Sequence, residues 1–237
     1  MEDSIKAVVL LSGGVDSATC AGIAVERYGA ENVKALGITY GQKHAIEQES
    51  AQAIADYYGI ELYHLDISNV MQYSNCSLLK QSTEAIPEKS YAEQMEENGT
   101  GRVSTYVPYR NGTMLSVATA FADSIFPGHA VKIFYGAHAD DAAGEAYADC
   151  SVAFIRAQNE AIKIGTYGNI ELEGPLAKMN KTEVVATGLA LKKPVPYHLT
   201  HSCYKGVPGG CGVCGTCIDR LAAFRANGLN DDGTVKE

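Results

Sequence analysis

Hydrophobic residues fall along this chain in two alternating rhythms. The run I-K-A-V-V-L-L at 5–11 has strand length and precedes glycines, whereas S-A-T-C-A-G-I-A-V-E-R-Y at 17–28 spaces its apolar residues as a helix does. A strand, a tight turn and a helix are predicted there. The alternation returns with V-K-A-L-G-I-T at 33–39, a helical stretch over 45–58 and E-L-Y-H-L-D-I at 61–67. It resumes further on with a helix over 113–124, V-K-I-F-Y-G at 131–136, and helices over 151–164 and 181–191. Strands alternating with helices need crossover connections, which sandwich parallel strands between helical layers. The predicted fold is therefore α/β, a doubly wound, Rossmann-like parallel sheet with its ligand site at the C-terminal strand ends.

Two regions break the rhythm. Residues 69–107, with a polar stretch E-K-S-Y-A-E-Q-M-E-E-N-G-T-G-R at 88–102, read as an insertion or lid. Pro194 and Pro196 punctuate the entry to a cysteine-rich segment, and the last residues, N-D-D-G-T-V-K-E, look frayed. The expected organisation is a main domain over 1–195, a C-terminal metal-binding segment over 196–228 and a flexible tail over 229–237.

Charge narrows the choice of partners. Of 237 residues, 19 are Lys or Arg and 28 are Asp or Glu, a net charge of −9, the wrong sign for gripping a nucleic acid backbone. Small anions can still bind backbone amides locally. No apolar run reaches the ~18 residues of a membrane span, and the acidic start M-E-D-S-I-K carries no cleavable signal, so a cytoplasmic protein without membrane partners is expected. In that reducing compartment seven cysteines are not a disulfide framework.

Candidate chemistry begins at Leu11-Ser12-Gly13-Gly14-Val15-Asp16-Ser17, between the first strand and first helix. Free N–H groups and the helix dipole favour an anion there, and paired glycines let phosphate oxygens approach. Ser12 and Ser17 offer hydroxyls, while Asp16 suits either the helix cap or a magnesium ion. The loop lacks the lysine of G-x-x-x-x-G-K-[ST]. The same residues also suit a plain strand-to-helix turn.

Cys203, Cys211, Cys214 and Cys217 follow C-x7-C-x2-C-x2-C, with glycines between them to turn the chain. Four thiolates at this spacing suit a closed, tetrahedral, structural zinc site; a redox pair, an iron–sulfur cluster and a metal-free cluster are the competing readings. His198 and His201 lie near enough in sequence to replace a thiolate. Cys20, Cys76 and Cys150 read as small buried hydrophobes. The string G-C-G-V-C-G at 210–215 matches a dinucleotide fingerprint by coincidence, since no strand precedes it.

S-G-G-V-D-S directly after a first strand resembles the pyrophosphate loop (PP-loop) of the N-type ATP pyrophosphatases, of adenine nucleotide alpha hydrolase-like fold. Together with the C-terminal cysteines, the chain resembles the 7-cyano-7-deazaguanine synthase family over nearly its whole length. Y-G-Q-K-H at 40–44 with Glu47 beyond it, V-P-Y-R-N at 107–111, G-A-H-A-D-D at 136–141, Y-A-D-C at 147–150 and L-T-H-S-C-Y at 199–204 carry the likeness. Tyr109 and Ala148 depart from the family's usual Gly and Pro, where substrate contacts are expected.

The resemblance implies an ATP-dependent carbon–nitrogen ligase. It would take 7-carboxy-7-deazaguanine and ammonia to the nitrile through adenylated acid and amide, releasing AMP and diphosphate, as a homodimer carrying zinc and using magnesium with ATP. Leu11 to Ser17 would bind the nucleotide, and Asp16, Ser17, Lys181 and Arg110 would act in catalysis. Lys181 would sit on the pyrophosphate, although a solvated helix-start lysine fits the sequence equally. Arg110 would grip a carboxylate or phosphate, its plainer reading being a surface ion pair. Gln42, His44, Arg110, Asp140, Asp141 and Asp149 would meet the substrate, with His44 either shuttling a proton or holding a structural hydrogen bond. The alternatives are an amide-forming ligase on the same carboxylate, a tRNA-thiolating relative, and a zinc module that binds ATP without turnover.

Overall fold

The computed structural model describes residues 4–98, 103–142 and 147–236. Its strands are β1 (Lys6–Leu10), β2 (Val33–Thr39), β3 (Glu61–Asp66), β4 (Val131–Phe134) and β5 (Ile170–Glu173). The helices are α1 (Val15–Tyr28), α2 (Ile46–Tyr58), α3 (Ser68–Met71), α4 (Tyr91–Asn98), α5 (Arg110–Ile125), α6 (Ala139–Ala142), α7 (Val152–Gly165), α8 (Lys181–Leu189) and α9 (Gly215–Ala226). All strand pairs are parallel in the order β3-β2-β1-β4-β5, with Val8 of β1 opposite both Lys34 of β2 and Ile133 of β4.

The central strand explains the two-sided core. Ala7 and Val9, with Leu11 just beyond, face a cluster shared with α1, α2, α8 and α9, whereas Val8 joins Leu115, Ala118 and Ala122 of α5 and Ile155 and Ile162 of α7. A strand buried on both faces must read as a continuous apolar run, as 5–11 does. The chain winds outward from β1 in both directions, so the connections after β1 and β4 part company at one edge of their C-terminal ends. That switch point opens the crevice in which doubly wound sheets bind ligands.

Three features depart from the pattern read in the sequence. β5 is a four-residue strand in which Ile170 and Leu172 are buried while Glu171 and Glu173 sit partly exposed at the sheet edge. Glu171 pairs with Lys132 and Lys163, and Glu173 with Arg27 at 2.8 Å, charges that also guard an open edge. α9 begins inside the cysteine cluster, packs against α8 and buries Ala223 and Phe224 in the same core as α1. The end of the chain is folded back where fraying was expected: Leu229 is buried, Leu229 and Val235 form a bridge, and Gly233 lies against the Tyr197 backbone.

Within 69–107, α3, a turn-rich stretch and α4 lie over the strand ends; residues 99–102 of the polar stretch fall outside the described residues. Tyr91 of α4 bonds Tyr204 through their hydroxyls at 2.9 Å, and Glu88 pairs with Lys205. Among the described residues no helix is long and apolar enough to cross a membrane.

Candidate active site and metal centre

A cavity of about 240 Å3 opens at the switch point. One end is the β1–α1 loop. Gly13 holds φ +90°, and a Cβ there would sit 2.3 Å from the Glu47 carbonyl oxygen, so only glycine lets the loop lie against α2. Its own carbonyl accepts from the His201 N–H at 2.9 Å, tying the loop to the cysteine segment. The Ser12 and Ser17 hydroxyls lie 3.1 Å apart, and Ser17 Oγ donates to the Gly14 carbonyl. Gly14 caps α1 without any side-chain bond. Asp16 is therefore not the cap, and Gly14, Asp16 and Ser17 line the cavity at the start of α1, where free amides suit an anion.

The Asp16 carboxylate instead takes both its oxygens to Lys181 Nζ, at 2.8 and 2.7 Å. Lys181 is the first residue of α8, whose start is fixed by a capping box between Asn180 and Glu183, and its backbone N–H donates to Asp140 at 2.7 Å. It is 8% exposed, which removes the reading of a solvated surface lysine. His138 Nε2 lies 3.1 Å from the same ammonium and 3.3 Å from Asp141. Burial works to raise the Asp16 pKa, but the Lys181 ammonium and His138 outweigh it and hold the carboxylate below its ordinary range. Asp141 is pushed up by burial, and Lys181 is raised because Asp16 and Asp141 outweigh its own desolvation.

The other end of the cavity is built from β2, α2 and α5. Arg110 spreads its guanidinium over the Tyr40 ring at 5.0 Å, donates to Tyr40 Oη, and reaches Asn111 Oδ1 from Nε and Nη2 at 3.2 and 3.1 Å. It is an anchored cavity residue, and its bonds among the described residues are to Tyr40 and Asn111 and not to a surface carboxylate. Gln42, Glu47 and Gln48 complete this wall, and burial raises Glu47 to about 7 while Arg110 pulls it back. Tyr91, Tyr147 and Tyr204 roof the space from the insertion, the β4 side and the cysteine segment.

Of the residues read from the sequence, Leu11, Ser12, Gly14, Asp16, Ser17, Gln42, Arg110, Asp141 and Lys181 line this one cavity. Gly13 and Val15 shape the turn behind it, Val15 being fully buried in the core. Asp140 anchors the start of α8 from outside the lining. Asp149 lies behind the wall, accepting the Asn111 N–H at 3.2 Å. His44 is also off the cavity, its ring edge-on to His201 at 5.8 Å and its imidazole pKa pushed down by burial. Tyr109 turns outward to Gln158 at 2.9 Å and the Phe154 ring, and Ala148 is exposed, so neither family departure touches the cavity.

The four cysteine sulfurs lie within 4.8 Å of one another, Cys211 and Cys217 at 3.9 Å. Tetrahedral zinc with ~2.3 Å bonds needs sulfurs about 3.8 Å apart, so this set fits a closed site. Gly210, at φ +95°, passes so near Cys217 that a Cβ would sit 3.3 Å from its sulfur. Neither His198 nor His201 belongs to the set. Cys20, Cys76 and Cys150 are buried.

Sequence reading overlooked His138 and Asp219 as cavity residues. His138 stands in the quoted G-A-H-A-D-D, where its 2% exposure has no sequence signature; Asp219 comes from α9, which was not anticipated as a helix.

Sheet order, an unblocked helix start at the switch point and a buried Asp–Lys pair behind it define a Rossmann-like α/β protein with a PP-loop. The family model described as queuosine biosynthesis protein QueC matches residues 6–228, and the chain belongs to that family. It is 39% identical to 7-cyano-7-deazaguanine synthase of Koribacter versatilis over 97% of this chain and 92% of that one. It is 36% identical to the enzyme of that name from Archaeoglobus fulgidus, over 96% and 89%. Among solved structures, glutamine-dependent NAD+ synthetase from Acinetobacter baumannii aligns at TM-score 0.48 and 16% identity, over 84% of this chain and 32% of that one.

Proposed function

We propose that the protein converts 7-carboxy-7-deazaguanine and ammonia to 7-cyano-7-deazaguanine, splitting ATP to AMP and diphosphate at each of two adenylations. The substrate carboxylate attacks the α-phosphorus and diphosphate leaves. Ammonia then displaces AMP to give the amide, whose oxygen attacks a second ATP. Loss of AMP and a proton from that adenylate closes the triple bond.

At each adenylation negative charge builds on phosphoryl oxygens, so the protein's contribution is position and electrostatics. The α1 amides with Ser12 and Ser17 receive the β- and γ-phosphates. Lys181 spends its donors on Asp16 and His138, so it reaches a phosphate when Asp16 turns away from it. Asp16 and Asp141 are the carboxylates that would hold a magnesium ion brought in with ATP, which would supply charge neutralisation there. Arg110 holds the substrate carboxylate in line. The four-cysteine set would hold zinc, which has no open position for chemistry there and fixes Tyr204, Thr216 and Asp219 on the cavity wall. Tyr91 closes the roof from the insertion.

Family membership over residues 6–228, with loop, Asp16, Lys181 and Arg110 on one cavity, is the observation that carries this reading. Two further facts favour the nitrile over the alternatives. Tyr109 and Ala148, the departures that would suggest a different acceptor, face away from the cavity. Cys150, the free thiol on the cavity wall, is kept protonated by burial and suits sulfur transfer poorly. A cysteine-rich chain whose sulfurs cluster for a metal suits the cytoplasm, and the family likeness carries a homodimer, which light scattering on the purified protein checks.

Mass spectrometry of enzyme, ATP, magnesium, ammonium and the 7-carboxylate tests the reaction. Nitrile with AMP, lost in Asp16→Ala, is the expected result; amide as the end product, or no acid-dependent AMP, overturns it.

A further inference from the structure

Glu47 is the one charged group on the Arg110 side of the cavity left without a hydrogen bond from any described residue. It stands in the first turn of α2, whose backbone is pressed onto Gly13, so the side chain is carried into the cavity beside Tyr40, Gln42 and Arg110. Its neighbours bond elsewhere: Gln42 Oε1 accepts from the Tyr40 N–H at 2.9 Å, Gln48 donates to Thr39 at 2.7 Å, Arg110 is held by Asn111 and Tyr40, and none of the three donates to Glu47. A partly buried carboxylate that no side chain answers is poorly solvated, and desolvation raises it to about 7. A ligand bringing two adjacent N–H groups would answer it.

Such a pair lies on the substrate proposed above, on which this inference rests. Around the rim of a 7-carboxy-7-deazaguanine the groups run carboxylate, O6, N1–H and exocyclic 2-NH2: two acceptors followed by two donors. A guanidinium next to a carboxylate is the complement of that order. Adenine presents an acceptor nitrogen beside its amino group, and a carboxylate facing it would meet a lone pair. We infer that Glu47 is the residue that selects the base, accepting from N1–H and the 2-amino group of the acid while Arg110 spans O6 and the 7-carboxylate.

The test compares the natural acid with its analogue lacking the 2-amino group, on wild type and Glu47→Gln, with KM for ATP measured alongside. Losing a charge-assisted pair should raise the KM for the natural acid on the order of 10–100-fold in the variant and leave the ATP KM within about threefold. Wild type should discriminate against the analogue by on the order of 100-fold, and the variant should lose most of that discrimination. Equal loss on both acids, an ATP KM that rises in step, or a variant like wild type would overturn the inference. Should the variant not fold, wild type alone decides: similar KM values for the two acids overturn it. Wild type inactive on the acid would overturn the reaction itself, a failure distinct from an active wild type whose Glu47 is silent.

Discussion

The phosphate end and the base end of the cavity are built on opposite principles. At the phosphate end the polar groups form one linked chain: Asp16 to Lys181, Lys181 to His138, His138 to Asp141. At the base end Arg110 is anchored by Asn111 and Tyr40, yet Glu47 has no donor among the described residues. A paired site is stable when empty and must break a contact to work; an unpaired one is strained when empty and relaxes on binding. Charge removal should therefore cost rate at the first end and affinity at the second.

The largest effect should come from breaking the phosphate end. Asp16→Asn leaves the shape and removes the charge, stranding the buried Lys181 ammonium, and AMP formation should fall on the order of 1,000-fold in kcat. Lys181→Ala should fall by about 100-fold, with the KM for the acid little changed. The pair also sets a pH window. Its contribution to stability is present above the usual carboxylate range and is lost as acid passes the lowered Asp16 value. On the alkaline side it is lost as pH rises through the raised Lys181 value. An Asp16→Asn protein whose melting temperature moved with pH as wild type does would contradict this account.

Next in size is the four-cysteine cluster, whose segment touches both ends at once. The His201 N–H holds the Gly13 carbonyl, while Tyr204, next to Cys203, bonds Tyr91 in the roof. Chelation, or Cys217→Ser, should lower the melting temperature by on the order of 10 °C and restoring zinc should recover it. Nucleotide binding and acid binding should weaken together. A melting temperature indifferent to chelation would show that the sulfurs hold no structural metal.

The two ends were also unequally legible in the sequence. The glycine loop could be read because its geometry is local: strand, turn and helix are consecutive, and Gly13 and Gly14 have few other uses there. The four-cysteine set was legible for the same reason. Arg110, Asn111 and Gln42 were quoted within short strings, but the direction of each side chain depends on packing between α2, α5 and β2, which no local pattern encodes. His44 and Asp149 show the limit. Each stands in a string that resembles the family's, and packing turns one toward His201 and the other behind Asn111. β5 went unseen because four residues with two glutamates carry almost no strand signal once their lysine and arginine partners lie elsewhere in the chain.

The smallest expected effect sharpens the base end by pH alone. Glu47 is raised above its ordinary value, so between about pH 5 and 7 the folded protein holds a proton that the unfolded chain has released. Stability from this group is greatest in acid and declines as pH rises through about 7. Glu47→Gln abolishes the term: relative to the variant, apo wild type should lose a few degrees of melting temperature between pH 5 and 8. Binding should carry the opposite sign, since a protonated Glu47 cannot accept from two donors. Acid affinity should therefore fall in wild type as pH drops below 7. The other charged group facing Glu47 is Arg110, which stays cationic throughout this range, and the nearby Tyr40 hydroxyl is pushed up to about 12, so neither titrates in the window. The two opposed trends, both absent from Glu47→Gln, separate a base-reading carboxylate from one that is merely buried: a structural role would give the first trend without the second.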